Sequence, residues 1–322
     1  MLSRREVVIT GTAAVAAAVI RPWTTVLASA SQPTTPVKFD VPAGACDCHV
    51  HVIGEIQRFP FSSSRTYTPE PASVEELRVL DRALHTDRVV VVNPSVYGTD
   101  NSCTLDAVKQ LGSSARAIVV IDDKTPEAAL NEMDRAGARG IRINLETSGQ
   151  ADPAVARQRF KAAVERIKGR TNWHIQVYAR LSVIEGIADL IDVAPMPVVF
   201  DHFGGAKAAL GVAQPGFETL LKLLRSGIAY VKISGAYRSS TLRPDYPDVV
   251  PLAKALIAEN PQRILWGTDW PHPSQVPGRK TEISPLLQID DGHLFNQLAV
   301  WAPEAAVRAT ILVENPAKLY GF

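Results

Sequence analysis

Ala45-Cys46-Asp47-Cys48-His49-Val50-His51 is an apolar run in which every second residue from Asp47 onward is an acid or an imidazole. A period of two marks a β-strand, whose successive side chains leave on opposite faces. Asp47, His49 and His51 are therefore expected to share one face, and Cys46 and Cys48 the other, as small buried apolar residues. The residues just after this strand decide the fold. A doubly wound dinucleotide-binding sheet would carry a Gly-x-Gly-x-x-Gly loop at that point, and here the chain continues Val52-Ile53-Gly54-Glu55-Ile56-Gln57 without one.

Short β-branched runs recur at 88–93, 115–121, 140–144, 173–178, 198–202, 229–234 and 263–268. Between them lie helical patterns at 74–84, 104–111, 126–136, 153–168, 182–191, 217–224 and 247–259, with further helices near Leu294 and Ala305. The strands are continuously apolar rather than half polar, which implies parallel strands covered by helices. Eight such units predict an α/β chain folded as a (β/α)8 TIM barrel over 45–322. An open doubly wound sheet is the competing architecture.

At 322 residues, 46% of them apolar and 21% charged, the chain can bury a large core. A formal net charge of +1, with no run of like charges, offers no footprint for nucleic acid or an anionic membrane. Three cysteines are an odd count, so no disulfide framework is expected.

Residues 1–30 read as a twin-arginine-type export signal: Ser3-Arg4-Arg5, an apolar stretch from Val7 to Ile20, and a small-residue cleavage site at Ala28-Ser29-Ala30. The apolar stretch is Ala- and Thr-rich and too short to span a bilayer comfortably, so no stable membrane anchor is expected and the location is the periplasm. Residues 31–44, rich in Pro, Thr and Ser, read as an N-terminal arm.

In a (β/α)8 barrel the chemistry sits at the C-terminal ends of the strands. Read in order, those ends carry His49 and His51, Asn93 and Ser95, Asp122, Arg142 and Asn144, Gln176 and Tyr178, Asp201 and His202, Lys232 and Ser234, and Asp269. A His-x-His pair alone usually means two satisfied polar residues. Together with His202 and Asp269, three imidazoles and a carboxylate can meet in one barrel mouth. Two versions of the chemistry stay open: the four residues hold one zinc ion and leave a position for water, or the imidazoles donate to a carbonyl oxygen while Asp269 takes a proton from water. Either version hydrolyses an ester-like bond.

These residues resemble the amidohydrolase-related family, and within it the 2-pyrone-4,6-dicarboxylate lactonase group. The matching segments run through the mature chain: 47–54, Phe59-Pro60-Phe61 with Tyr67-Thr68-Pro69, Gly98-Thr99-Asp100-Asn101, Arg139-Gly140-Ile141-Arg142, Asp201-His202, Trp266-Gly267-Thr268-Asp269-Trp270-Pro271-His272-Pro273, and Asn315-Pro316 with Leu319-Tyr320. The resemblance implies that Asp269 activates water while His49, His51 and His202 surround the scissile carbonyl of a small acidic lactone. It implies that Arg142 and Arg139 meet a substrate carboxylate, which suits a planar guanidinium, and that Tyr67, Ser95, Tyr178 and Arg238 contact substrate. His272 is placed either to orient Asp269 or to line the mouth. Likeness to the pyrone lactonase implies no obligatory metal, which is the expectation. Likeness to sulfomuconolactone hydrolases implies the alternative, one Zn2+ on His49, His51, His202 and Asp269.

In other branches of the superfamily a carboxylated lysine that bridges two metals comes from the fourth strand, where Arg142 and Asn144 stand here, so a binuclear centre is not expected and Lys232 is read as a buried charge with a local partner. One departure bears on substrate: Gly205 stands where the pyrone lactonase places an arginine, so the substrate is expected to carry one acid group, or a sulfonate or sugar acid, rather than two carboxylates. A sugar-acid lactone isomerase and a metal-dependent decarboxylase are alternatives on the same residues. A non-catalytic binding protein for organic acids is the rival from another class, and it leaves the joint presence of His49, His51, His202 and Asp269 without a purpose.

Overall fold

The computed structural model describes residues 30–275 and 280–322. Apart from Ala30, the leader read at 1–30 lies outside them. Eight parallel strands form the barrel: β1 Cys46–Val50, β2 Arg88–Val92, β3 Ala115–Val119, β4 Ala138–Asn144, β5 His174–Tyr178, β6 Val198–Phe200, β7 Ala229–Ser234 and β8 Ile264–Gly267. Each pairs with the next in chain order, as right-handed β-helix-β connections produce. The ring closes between β8 and β1 just beyond the ladder, where the Asp269 amide donates to His49 O (2.9 Å) and the His51 amide to Trp270 O (2.8 Å). Close approach at this seam needs Gly267: a Cβ there would lie 2.8 Å from His49 N and 2.9 Å from His49 Cβ. The seam that closes the barrel thus carries two of the histidines and Asp269.

The helices form where the apolar spacing places them. Val74–Leu84 buries Val74, Leu77, Leu80 and Leu84 on one face, starts on a Ser73/Glu76 capping box and ends on His85 in the left-handed region (φ 57°). The single helix expected over 182–191 is two, Leu181–Gly186 and Ala188–Asp192. Gly186 packs so tightly on Pro153 that a Cβ would lie 2.8 Å away, and Ile187 leaves helical geometry (φ −121°, ψ 7°). Among the described residues no helix is long and apolar enough to cross a membrane.

The first strand departs from strict alternation. Asp47 pairs with Val89, but Val50 pairs with Val91, so β1 carries one extra residue, a β-bulge. Before the bulge Asp47 sits in register with Val89, which packs against the helices. Cys46 and Cys48 join Val90, Ile118, Val199, Leu265 and Tyr320 in the apolar cluster inside the barrel. Past the bulge His49 and His51 also turn inward. The expectation that Asp47 shares a face with the histidines, and that the cysteines point away, is corrected by this extra residue. Asp47 instead holds the seam from outside, accepting from Thr268 N (3.1 Å), Thr268 Oγ1 (2.6 Å) and His49 N (3.0 Å).

Inward-facing residues stack in layers. His174, Gln176 and Tyr178 climb β5 from floor to mouth, and Tyr230, Lys232 and Ser234 climb β7. Tyr320, from the helix Asn315–Tyr320, closes the floor. At the other end the arm is fixed by Thr34 and Thr35, whose hydroxyls donate to Asp290 Oδ2 (2.7 and 2.6 Å), and by the Trp270 indole, which donates to Ser31 O (3.0 Å).

Candidate active site

The strand ends open into a cavity of about 350 Å3. His51, His202, Tyr67, Ser95, Tyr178, Arg142 and Arg238 all line it, so most of the side chains expected there are brought together. Asp269 is fully buried just behind them. The backbone holds two of the reacting residues in the left-handed region, Asp269 at φ 67° and His202 at φ 48°. For non-glycine residues that conformation costs about 1–2 kcal/mol, and it persists where the surroundings over-determine it.

The two oxygens of Asp269 have different company. Oδ2 accepts from Tyr237 Oη (2.6 Å) and from Arg238 Nε in a very short contact. Oδ1 faces the Nε2 atoms of His49 (3.6 Å), His51 (3.6 Å) and His202 (3.8 Å). Burial works to raise the carboxyl's pKa, but the Arg238 guanidinium and the imidazoles outweigh it and hold Asp269 well below the usual carboxylate range. Burial lowers His51 and His202 to about 4 and His49 well below its usual value. At neutral pH the centre is one carboxylate facing three neutral rings.

The separations around Oδ1 are too long for hydrogen bonds, and both Asp269 Oδ1 and His49 Nε2 are buried without a hydrogen-bond partner. His51 Nδ1 lies 2.7 Å from Val92 O and must carry the proton to use that acceptor, so its Nε2 directs a lone pair at the carboxylate. Lone pairs converging on one point are compatible when a cation lies among them. Ligands of a tetrahedral zinc ion, each about 2.0–2.2 Å from the metal, sit roughly 3.3–3.5 Å apart. His49, His51 and Asp269 come close enough together to hold such an ion, with His202 beside them 3.8 Å from Asp269 Oδ1 but outside that close group, and His51 has the carbonyl partner typical of a metal-binding imidazole. The version in which His51 donates to a substrate carbonyl needs the other tautomer and the loss of the Val92 bond.

A second layer of charge supports His49 from below. Asp201 Oδ1 lies 3.3 Å from His49 Nδ1, while Oδ2 accepts from Arg142 Nε (3.1 Å) and Gln176 Nε2 (3.1 Å) and pairs with Arg142 Nη2 (3.0 Å). Burial would raise Asp201, but His49, Arg142 and Lys232 hold it well below the carboxylate range. Lys232, fully buried, donates to Gln176 Oε1 (2.7 Å) and stands 3.4 Å from His49 Nδ1 and 3.7 Å from Asp201 Oδ1. It is the buried charge with local partners that the sequence suggested.

Three expected site residues sit elsewhere. Arg139 opens β4 near the barrel floor, three residues before Arg142, and pairs with Asp134 (3.5 Å) and the carbonyls of Asp134 and Ala138; it does not line the cavity. His272 neither lines the mouth nor touches the Asp269 carboxylate: its Nε2 bonds Asp291 (2.9 Å), and its ring stands edge-on to Tyr237 at 5.4 Å. It braces the tyrosine that holds Asp269. Asp122 is a surface turn residue bonded to Thr125.

Sequence reasoning missed Tyr237, whose only signal was its position beside Arg238, and the lining residues Glu146, Thr147 and Arg243. Gly205 is confirmed as a place for no side chain, since at φ 75° a Cβ would lie 2.3 Å from Ala179 O.

Comparison with known proteins agrees with this geometry. The chain is 37% identical over 289 residues to a 4-sulfomuconolactone hydrolase of Hydrogenophaga intermedia, covering 89% of this chain and 91% of that one. It is 33% identical to a 2-pyrone-4,6-dicarboxylate hydrolase of Comamonas testosteroni (90% and 94% covered) and 31% identical to a D-galactarolactone isomerase of Agrobacterium fabrum (87% and 91% covered). A crystal structure of an Agrobacterium tumefaciens protein superposes with a TM-score of 0.75 at 28% identity, covering 90% of this chain and 98% of that one. The amidohydrolase profile matches residues 46–322, the whole barrel, and the chain belongs to the amidohydrolase family.

Proposed function

We propose that the protein hydrolyses a small acidic lactone, opening the ring by attack of water on its carbonyl. The observation that carries this reading is the asymmetric carboxylate: Tyr237 and Arg238 occupy Asp269 Oδ2, and Oδ1 faces His49, His51 and His202 beneath a cavity lined by arginines. The lactone relatives support the same substrate class.

The lactone carbonyl is placed over His51 and His202 at the cavity base. Water adds to the carbonyl carbon, and Asp269 accepts its proton on Oδ1. The ring C–O bond then breaks, and the departing oxygen takes that proton. Because Arg238 keeps Asp269 a weak base, the carboxylate stays ionised through the neutral range and releases the proton readily. Tyr237, whose pKa burial raises well above its usual value, remains a donor to Oδ2 throughout. A divalent cation held by His49, His51 and Asp269 would supply Lewis acidity at the carbonyl.

Acid release from a panel of carboxylated lactones tests the reading. Wild type should open at least one member, and Asp269→Asn should lower kcat by about a thousandfold while substrate still binds. Release that survives in Asp269→Asn would remove the proposed base. The isomerase relative supports a second reading, migration of the lactone ring, which consumption of lactone without net acid release would select. We also propose that the leader read at 1–30 sends the enzyme to the periplasm, to be tested by fractionating cells and sequencing the mature N-terminus.

A further inference from the structure

Three arginines line the cavity, and two are already committed. Arg238 is paired with Asp269, and Arg142 gives Nε and Nη2 to Asp201. Glu146, the carboxylate among the described lining residues, is answered by Arg180, with Nε 3.0 and 3.3 Å from its two oxygens. These pairs cancel. Arg243 is exposed at the rim, and its guanidinium has no acceptor among the described residues. It is the uncompensated charge of the described cavity wall.

The loop that carries it is fixed at both ends. Ser240 Oγ donates to Asp248 Oδ1 (2.6 Å) and accepts from Leu242 N (3.0 Å), the Tyr246 amide donates to Leu242 O (2.8 Å), and Asp245 Oδ1 meets His293 Nε2 (2.8 Å) on the helix Asp291–Trp301. An unpaired guanidinium on a pinned loop offers a planar, two-donor grip to a carboxylate or sulfonate, whereas Arg142 can serve an anion only with what Asp201 leaves free.

We propose that Arg243 is the specificity-determining residue of this site: it takes the acidic substituent of the lactone at the rim and so sets the ring carbonyl over His51 and His202. This rests on the lactonase reading. One open cation implies one anionic arm, in agreement with Gly205, where the backbone leaves no room for a second clamp.

The test compares wild type, Arg243→Ala and Arg243→Lys on muconolactone and on its methyl ester, two lactones with the same ring that differ by one negative charge. Arg243→Ala should raise KM for the acid about tenfold or more, with kcat little changed. It should leave the ester within about twofold, and Arg243→Lys should recover part of the loss. Equal losses on acid and ester, or no loss on either, overturn the proposal. A wild type that opens neither lactone refutes the lactonase reading, and Arg243 is then judged by calorimetric binding of citrate. Binding weakened about tenfold in Arg243→Ala sustains its role as the anion grip, and unchanged or absent binding overturns it. Equal melting temperatures for wild type and Arg243→Ala exclude a folding effect.

Discussion

The two ends of the barrel both bury polar atoms without hydrogen-bond partners, and they do so differently. At the mouth two of the orphans, His49 Nε2 and Asp269 Oδ1, stand 3.6 Å apart, with Asp201 Oδ1 below them and His272 Nδ1 and Asp291 Oδ1 behind. At the floor they are both ring nitrogens of His174 and the Tyr320 hydroxyl, with ring centroids 5.3 Å apart, beside an apolar cluster that includes Cys46, Cys48 and Tyr230. An unpaired buried polar group costs about 1–3 kcal/mol wherever it lies. What distinguishes the mouth is convergence: His49 Nε2 and Asp269 Oδ1 belong to one charge-bearing set that a single cation would satisfy together, while the orphans of the floor share no focus. An orphaned atom marks a reactive centre when its neighbours point at the same place.

Zinc should separate the two ends most strongly. At about a thousandfold excess over Kd, an ion bound only by the folded chain adds roughly 4 kcal/mol, which raises Tm by on the order of 10 °C. His49→Asn should abolish the rise, and a floor variant, His174→Leu, should keep it. A differential scanning measurement in which zinc does nothing to wild type, or stabilises His49→Asn equally, would place the two ends on the same footing.

The floor should declare itself through pH. Burial, aided by the positive charge of Lys232, lowers His174 to about 3, against roughly 6.5 in the unfolded chain. Between those values the unfolded chain binds a proton that the folded chain refuses, so stability falls as pH drops from about 6.5 towards 3. By pH 4.5 the loss from this one ring is about 2–3 kcal/mol. His51 and His202, held to about 4 by burial, add slope of the same sign, so the readout is the difference between proteins. His174→Leu should be less acid-sensitive than wild type in urea titrations at pH 7 and pH 4.5; parallel curves would show that His174 is protonated in the fold.

The architecture was legible because eight apolar runs alternating with helical periodicity leave few alternatives, and because polar residues recur at the ends of those runs. Residues two apart on one strand were also legible: Gln176 and Tyr178 lie on the inner face as period two requires. Asp47 was not, because a bulge adds a residue without any change in composition, and one extra residue exchanges the faces of everything on one side of it. Tyr237 was hidden for a different reason. It follows β7 on the four-residue helical turn Ala236–Ser239, where no periodicity announces direction. Arg243 lies farther along the same connection, and only the finished loop brings it to the rim.

Arg139 offers the smallest effect. It lies three residues from Arg142, at the floor end of β4, where the register shift between Ala138 and Gly140 breaks the strand's alternation. That position removes it from a substrate that Arg142 can reach. Its pair with Asp134 is partly exposed and 3.5 Å long, worth up to about 1 kcal/mol. Arg139→Gln should therefore leave kcat/KM within about twofold on any lactone the enzyme opens, with a small drop in Tm. A tenfold loss confined to KM would mean that the floor communicates with the bound acid, and the division between a reactive mouth and an inert floor would have to be redrawn.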